Sequence, residues 1–192
     1  MGDDDLRWKR LAMGPPTDYA IFDAHVCQSV HPATGKTKSF TVIDSPNWVN
    51  VIALTPRDEV VMVRQFRHGI DDLTLEIPGG IVDPGEDALT AAQRELYEET
   101  GYRAERWVKL GEVESNPAFM NNHCGIFLAL DANLAGDGDL DETEFIEVQL
   151  HPLESIPEQM AEGAIRHSLV VSGFFFFLAF TGGWHRPLST GA

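Results

Sequence analysis

Cysteine is almost missing from this chain of 192 residues: Cys27 and Cys124 are the two present. They stand far apart and form neither a CxxC zinc or redox motif nor the framework of a disulfide-stapled domain, so a reducing compartment is expected. Basic residues are also in short supply. Lys and Arg number 14 against 30 Asp and Glu, a formal net charge of −16. That balance excludes a basic track for nucleic acid and repels any phosphate-bearing ligand unless a cation intervenes. Long apolar runs are lacking too. The most apolar stretch, residues 168–180 with four consecutive phenylalanines, is too short to cross a bilayer as a helix and is expected to be buried in the fold. The segment Met1-Gly-Asp-Asp-Asp-Leu begins acidic, without a basic region leading into an apolar core, so no secretion signal is expected. The expected product is cytoplasmic, with no membrane partner.

The hydrophobic share of 43% is that of a globular domain rather than a disordered one. Residues 19–30 and 37–44 read as two strands of a hairpin, separated by loop residues, and Ser45-Pro46-Asn47 breaks the pattern. This divides the chain into an N-terminal antiparallel β subdomain, 1–46, and a larger domain, 47–192. In the larger part, strands are expected at 48–54, 59–66, 73–77, 107–110, 123–130 and 145–150. Helices are expected at 87–100, 153–162 and 168–180, and a long acidic stretch over 131–144 reads as a loop. Strands mixed with helices on this scale indicate an α/β sandwich. His123 and Cys124 fall on an apolar strand pattern and read as packing residues.

The helix over 87–100 carries the chemistry. Asp87 suits the N-cap, Leu89, Ala92 and Leu96 recur at helical spacing, and Gly101 stands where a left-handed C-terminal glycine is expected. At 100° per residue, Glu95, Glu98 and Glu99 share an arc of about 100° on one face, near a helix C-terminus whose dipole disfavours negative charge. Either this is a solvated acidic face, or it is a site for a hard cation such as Mg²⁺ or Mn²⁺ bound by carboxylate oxygens. The glycine-rich loop 78–86 lets backbone carbonyls approach a cation, and the fork of Arg94 can pair with Glu86 or Glu98.

Gly80, Glu86, Arg94-Glu95-Leu96, Glu98-Glu99 and Gly101 stand in the register of the Nudix signature, and the segment resembles the Nudix hydrolase family. The departure is Tyr102, where an aliphatic residue is usual, and it concerns packing. The resemblance implies a Nudix α/β/α sandwich with a mixed β-sheet. It also implies that Glu95, Glu98 and Glu99 bind divalent cations, joined by the carbonyl of Gly79, while Glu86 and Arg94 support the site by ion pairing. Val63-Arg-Gln-Phe-Arg67, Leu75-Glu-Ile-Pro-Gly-Gly80 and Pro117 look like the ADP-ribose and nucleotide-sugar pyrophosphatase branch, in which Arg67 would contact the substrate's phosphates. The run Asn116-Pro-Ala-Phe-Met-Asn-Asn-His123 lacks the glutamate common in ADP-ribose enzymes, so a broader nucleoside-diphosphate-sugar hydrolase fits better. Relatives place the catalytic base in the loop before the last sheet strand, which here implies Glu142, with Glu144 as the alternative. Trp48 is the candidate for stacking on the nucleobase, against the plain reading of a core tryptophan. The family pattern also implies homodimerisation and substrate selection through residues 1–46. Hydrolysis of dinucleoside polyphosphates or modified nucleoside triphosphates is the alternative chemistry, and a non-catalytic nucleotide-sugar sensor the alternative of another class. Cations between protein and substrate would reconcile the acidic composition with a diphosphate ligand.

Overall fold

The computed structural model describes residues 2–140 and 145–187. They fall into two compact units: the residues up to Pro46 with Glu114–His123, and Asn47–Val113 with those from Cys124 onward. In the first unit a short helix, α1 (Asp3–Leu6), precedes the strands β1 (Lys9–Met13), β2 (Thr17–Asp18), β3 (Asp23–Val30) and β4 (Thr37–Asp44). β3 pairs antiparallel with the other three, and its register with β4 runs unbroken from Asp23↔Asp44 to Val30↔Thr37. Backbone bonds Ile43 N–H to Phe119 O (2.7 Å) and Asn121 N–H to Ile43 O (3.2 Å) tie the segment 114–123 to β4. The strand β1 was not expected from the sequence. All five of its residues are exposed, so no buried alternation marks it, and its ladder with β3 alone defines it.

The second unit contains β5 (Trp48–Leu54), β6 (Glu59–Arg67), β7 (Asp72–Glu76), α2 (Ala88–Thr100), β8 (Tyr102–Arg103), β9 (Arg106–Glu114), β10 (His123–Leu130), β11 (Asn133–Leu134), β12 (Ile146–Pro152), α3 (Ile156–Ala161) and α4 (Ser168–Thr181). A 3₁₀ turn, Leu153–Ser155, leads into α3. The main sheet has the order β12-β6-β5-β10-β9, with β7 added on β6. It is mixed: β5 and β10 are parallel, whereas β6 runs antiparallel to β5, β7 and β12. Successive residues of a strand point to opposite faces, and β5 shows it directly. Val49, Val51 and Ala53 meet Ala91, Ala92 and Leu96 of α2, while Ile52 and Leu54 meet Ile156 of α3 and Val170, Phe174 and Phe177 of α4. This is the α/β fold with helices on both sheet faces that the sequence implies. Each fully buried Phe or Leu in these two cores stabilises by about 1.5–3 kcal/mol.

Two expectations need correction. The apolar stretch 168–180 is buried on one side only: Leu169, Val170, Phe174 and Phe177 face the core, while the 3.6-residue period turns Val171 and Phe175 outward. His123 is not a packing residue: it is exposed, and burial on β10 begins at Cys124. Among the described residues no helix is long and apolar enough to cross a membrane.

β6 and β5 pair only at Leu54↔Val60, and the chain after β7 enters the resulting gap. β7 pairs with β6 up to Val63↔Glu76, and the following residues cross to β5 through Val51 N–H to Pro78 O (2.8 Å) and Val49 N–H to Gly80 O (2.9 Å). The signature helix therefore starts from a loop bound along β5.

Candidate active site

The helix α2 is fixed at both ends. Asp87 accepts hydrogen bonds at its carboxylate from the Leu89 N–H (3.0 Å) and the Thr90 N–H (3.1 Å). At the other end Gly101 takes φ 73° and donates to Tyr97 O at 2.8 Å. The carboxylates on this helix are not a solvated face. Glu99 is only 7% exposed, and the side chains of Glu95 and Glu98 are 13% and 34% exposed. Glu99 Oε2 accepts the Gly79 N–H at 2.9 Å. The carbonyls of Pro78 and Gly80 are spent on β5, so alternation turns the Gly79 carbonyl the other way. Neither glycine tolerates a side chain: a Cβ on Gly79 would collide with Val49 O, and one on Gly80 with the Glu95 carboxylate.

Arg94 gathers three glutamates. Its Nε and Nη2 donate to the two oxygens of Glu86 (3.1 and 2.9 Å), and its Nη1 donates to Glu95 (2.8 Å) and Glu98 (2.9 Å). Nη2 also donates to the Ile81 carbonyl, which ties helix to loop. The hydrogen bonds with Glu86 are the main cause holding the guanidinium in its charged form, and they hold the Glu86 carboxyl below the usual range. Among the described residues no three acidic, histidine or cysteine side chains already form a closed metal cage, because Glu95 and Glu98 turn to Arg94. The donor set nevertheless fits a hard cation. Glu95, Glu98 and Glu99 share one helix face, where Glu99 meets the Gly79 N–H and Gly80 leaves room for the Glu95 carboxylate.

Arg67 lies beside this group. Its Nε and Nη2 donate to the two oxygens of Glu76 (2.8 and 2.7 Å), and the charge of Glu99 also acts on it. Glu76 is nearly sealed, with a side chain 4% exposed against 42% for Arg67. Burial alone would raise the Glu76 pKa, but the Arg67 fork and the Thr74 hydroxyl outweigh it and hold the carboxyl low. Trp48 is half-buried and packs against the cluster of Cys124, Ile126 and Leu169. Glu142 and Glu144 lie outside the described residues.

The structure thus brings together Gly79, Glu86, Arg94, Glu95, Glu98 and Glu99, with Arg67 adjoining. Sequence reasoning missed four polar residues. Glu76 and Thr74 alternate on β7, and both are buried. Asn50 interrupts the apolar β5 and keeps a buried Nδ2 without a partner among the described residues, beside Gly79. His167, just before α4, has a buried Nδ1 without a partner among the described residues. In each case the available signal is a polar residue inside an otherwise apolar strand or at a helix start.

The NUDIX domain model matches residues 46–170, well over half the chain. The ADP-ribose pyrophosphatase of Bacillus subtilis (strain 168) is 34% identical over 135 residues, covering 70% of this chain and 72% of that protein. The methanol dehydrogenase activator of Bacillus methanolicus is 33% identical over 141 residues, covering 71% and 75%. A crystal structure of an ADP compounds hydrolase shares the fold with a TM-score of 0.82 at 21% identity, covering 94% of this chain and 97% of the other. With the signature helix capped at both ends, its glutamates gathered on Arg94, and the matching domain spanning the sheet and helices that carry them, the chain belongs to the Nudix hydrolase family.

Proposed function

We propose that this Nudix hydrolase uses a divalent cation, Mg²⁺ or Mn²⁺, to cleave the diphosphate of ADP-ribose or a related nucleoside diphosphate sugar. The products are a nucleoside monophosphate and a sugar phosphate, and the setting is cytoplasmic. The observation that carries this reading is the buried Glu99, hydrogen-bonded to Gly79 and flanked by Glu95 and Glu98, with the charged fork of Arg67 nearby. Glu95, Glu98, Glu99 and the Gly79 carbonyl would hold the cation. When bound, it offsets the charge of the diphosphate and polarises it towards attack by water. Arg94 and Glu86 keep the glutamates in place, as groups behind metal ligands commonly do. Arg67, supported from behind by Glu76, contacts phosphate oxygens. Glu142 takes the proton of the attacking water, with Glu144 as the alternative, and Trp48 offers an aromatic face to the base. Residues 1–46 serve dimerisation and substrate selection.

The test is a metal-dependent hydrolysis screen over nucleotide sugars with product identification, combined with Glu99→Gln. The expected result is release of a nucleoside monophosphate by the wild type and loss of turnover with weakened Mn²⁺ binding in the variant. Unchanged turnover of Glu99→Gln at saturating Mg²⁺ would overturn the metal assignment, and inorganic pyrophosphate as the dominant product would indicate triphosphate hydrolysis instead. Glu142→Gln should lower turnover by roughly 10²-fold or more while metal binding survives. A greater loss in Glu144→Gln would move the base to that residue.

A further inference from the structure

Arg67 stands opposite Asp72 in the β6–β7 ladder, yet its guanidinium bonds to Glu76, further along β7 and opposite Val63. At about 3.3 Å per residue the offset is roughly 13 Å of strand, so the Arg67 side chain runs back along the sheet face, past the Gln65–Thr74 pair. That run ends where β7 ends. From there the chain crosses to β5 and reaches Gly79, whose N–H meets Glu99 at 2.9 Å. Glu76 thus draws the fork away from the β6–β7 turn and towards the carboxylates of α2. Thr74 holds Glu76 in turn, its hydroxyl donating to Oε1 at 2.5 Å. With a side chain only 4% exposed, Glu76 does not meet a substrate itself; it acts through Arg67, which stays 42% exposed.

A buried ion pair kept for stability alone is a poor choice, because an apolar pair of similar volume often stabilises as much. This pair does what an apolar one cannot: it fixes which N–H groups of Arg67 remain for another acceptor. Glu76 takes the Nε hydrogen and one on Nη2, which leaves the edge formed by Nη1 and the second Nη2 hydrogen. That edge is planar, fixed in direction and matched to two oxygens of a phosphate. Glu76 also offsets the charge of Arg67, so the pair attracts a diphosphate weakly at a distance and binds it well in one orientation. We propose that Glu76, held by Thr74, is a positioning residue that aims the Nη1–Nη2 edge of Arg67 at the diphosphate and, by offsetting its charge, weakens unproductive binding. This rests on the diphosphate-hydrolase reading above. Interactions made equally in the ground and transition states lower KM alone, whereas one confined to the reacting geometry raises kcat.

The test uses the full chain and the nucleotide sugar turned over fastest in the screen, at saturating Mg²⁺. In Glu76→Gln, kcat should fall about tenfold to a hundredfold, the effect of a misdirected binding group. KM should stay level or fall, and should depend more steeply on salt, since Arg67 has lost its counter-charge. A double-mutant cycle shows whether Glu76 acts through Arg67: in an Arg67→Ala background, Glu76→Gln should add no further loss of kcat. Thr74→Val keeps the carboxylate but removes the hydroxyl bond, so a smaller loss of kcat in the same direction is expected. If Glu76→Gln does not fold, Thr74→Val decides by the same cycle. Unchanged kcat, with or without a rise in KM, or the same loss of kcat with and without Arg67, would overturn the proposal. A wild type that hydrolyses no nucleotide sugar would instead remove the functional reading itself, and this assignment with it.

Discussion

At the scale of single residues, charge compensation decides what the site can hold. One guanidinium, that of Arg94, serves Glu86, Glu95 and Glu98, a geometry that needs a planar fork and that an ammonium cannot reproduce. Arg94→Lys should therefore lower metal-dependent turnover by about 10–100-fold, measured as kcat/KM at fixed Mn²⁺. The carboxyls of Glu76 and Glu86 are held low by their arginines, and this gives an acid limit with a definite sign. A folded-state pKa below the unfolded value means that the unfolded chain takes up more protons as pH falls. The stabilisation is complete above the ordinary glutamate pKa of about 4.3 and is lost as pH falls from there through the lower folded value. Thermal melts across this range should show stability dropping with acid, and the drop should be shallower in Glu76→Gln. Burial also pushes the Cys124 thiol up to about 12, with Glu112 adding to the effect, so no thiolate forms at neutral pH. Cys27 is buried as well. Neither cysteine should react with a thiol reagent such as DTNB until the protein is unfolded.

At the scale of elements, the C-terminal end of α2 depends on a segment that reads in the sequence as an acidic loop. Within it, Asn133–Leu134 forms a two-residue ladder with Tyr102–Arg103, too short to carry any period. The Ala135 and Gly136 N–H groups donate to Gly101 O, and the Asp139 N–H donates to Glu98 O at 2.9 Å. These bonds satisfy carbonyls at the helix end on which the carboxylates crowd. Gly138 has φ 78°, and a Cβ there would stand 2.6 Å from Glu98 O, whereas Gly85 has φ 86° with open space around it. Both glycine-to-alanine changes carry the left-handed backbone penalty of roughly 1–2 kcal/mol. Gly138→Ala should cost more than Gly85→Ala in urea denaturation, and the difference measures the contact with the helix end. Equal losses would mean that the segment does not brace α2. The ends of α2 itself were legible beforehand, because Asp87 and Gly101 are local signals that need no partner elsewhere.

At the scale of the whole molecule, the acidic composition and the phosphate chemistry are compatible because charge is concentrated and compensated locally. Arg94 neutralises one group of glutamates, and Arg186 bridges Asp58 and Asp131 while also reaching the Thr55 carbonyl. The first unit leaves Leu11, Met13 and Val26 substantially exposed on its strands, which supports a role in assembly. Homodimerisation is the expected outcome of light scattering at micromolar concentration, and a monomer there would count against it.

What the sequence by itself determined is whatever repeats or lies close along the chain: the capped helix, the shared face of Glu95, Glu98 and Glu99, the glycines of the loop, and through them the family. Tertiary structure alone decided which carboxylates are buried and what each charge meets. Glu99 receives the Gly79 N–H across 20 positions, and Arg166 reaches Asp72 across 94. Arg67 and Glu76 stand only nine apart, yet they meet because β6 and β7 are antiparallel in one register, where a one-residue slip would turn each side chain to the other face. Spacing along a chain encodes the faces of single elements. Pairing between elements depends on how the sheet splits and how the helices cover it, and that is why the partner of Arg67 became visible only in the fold.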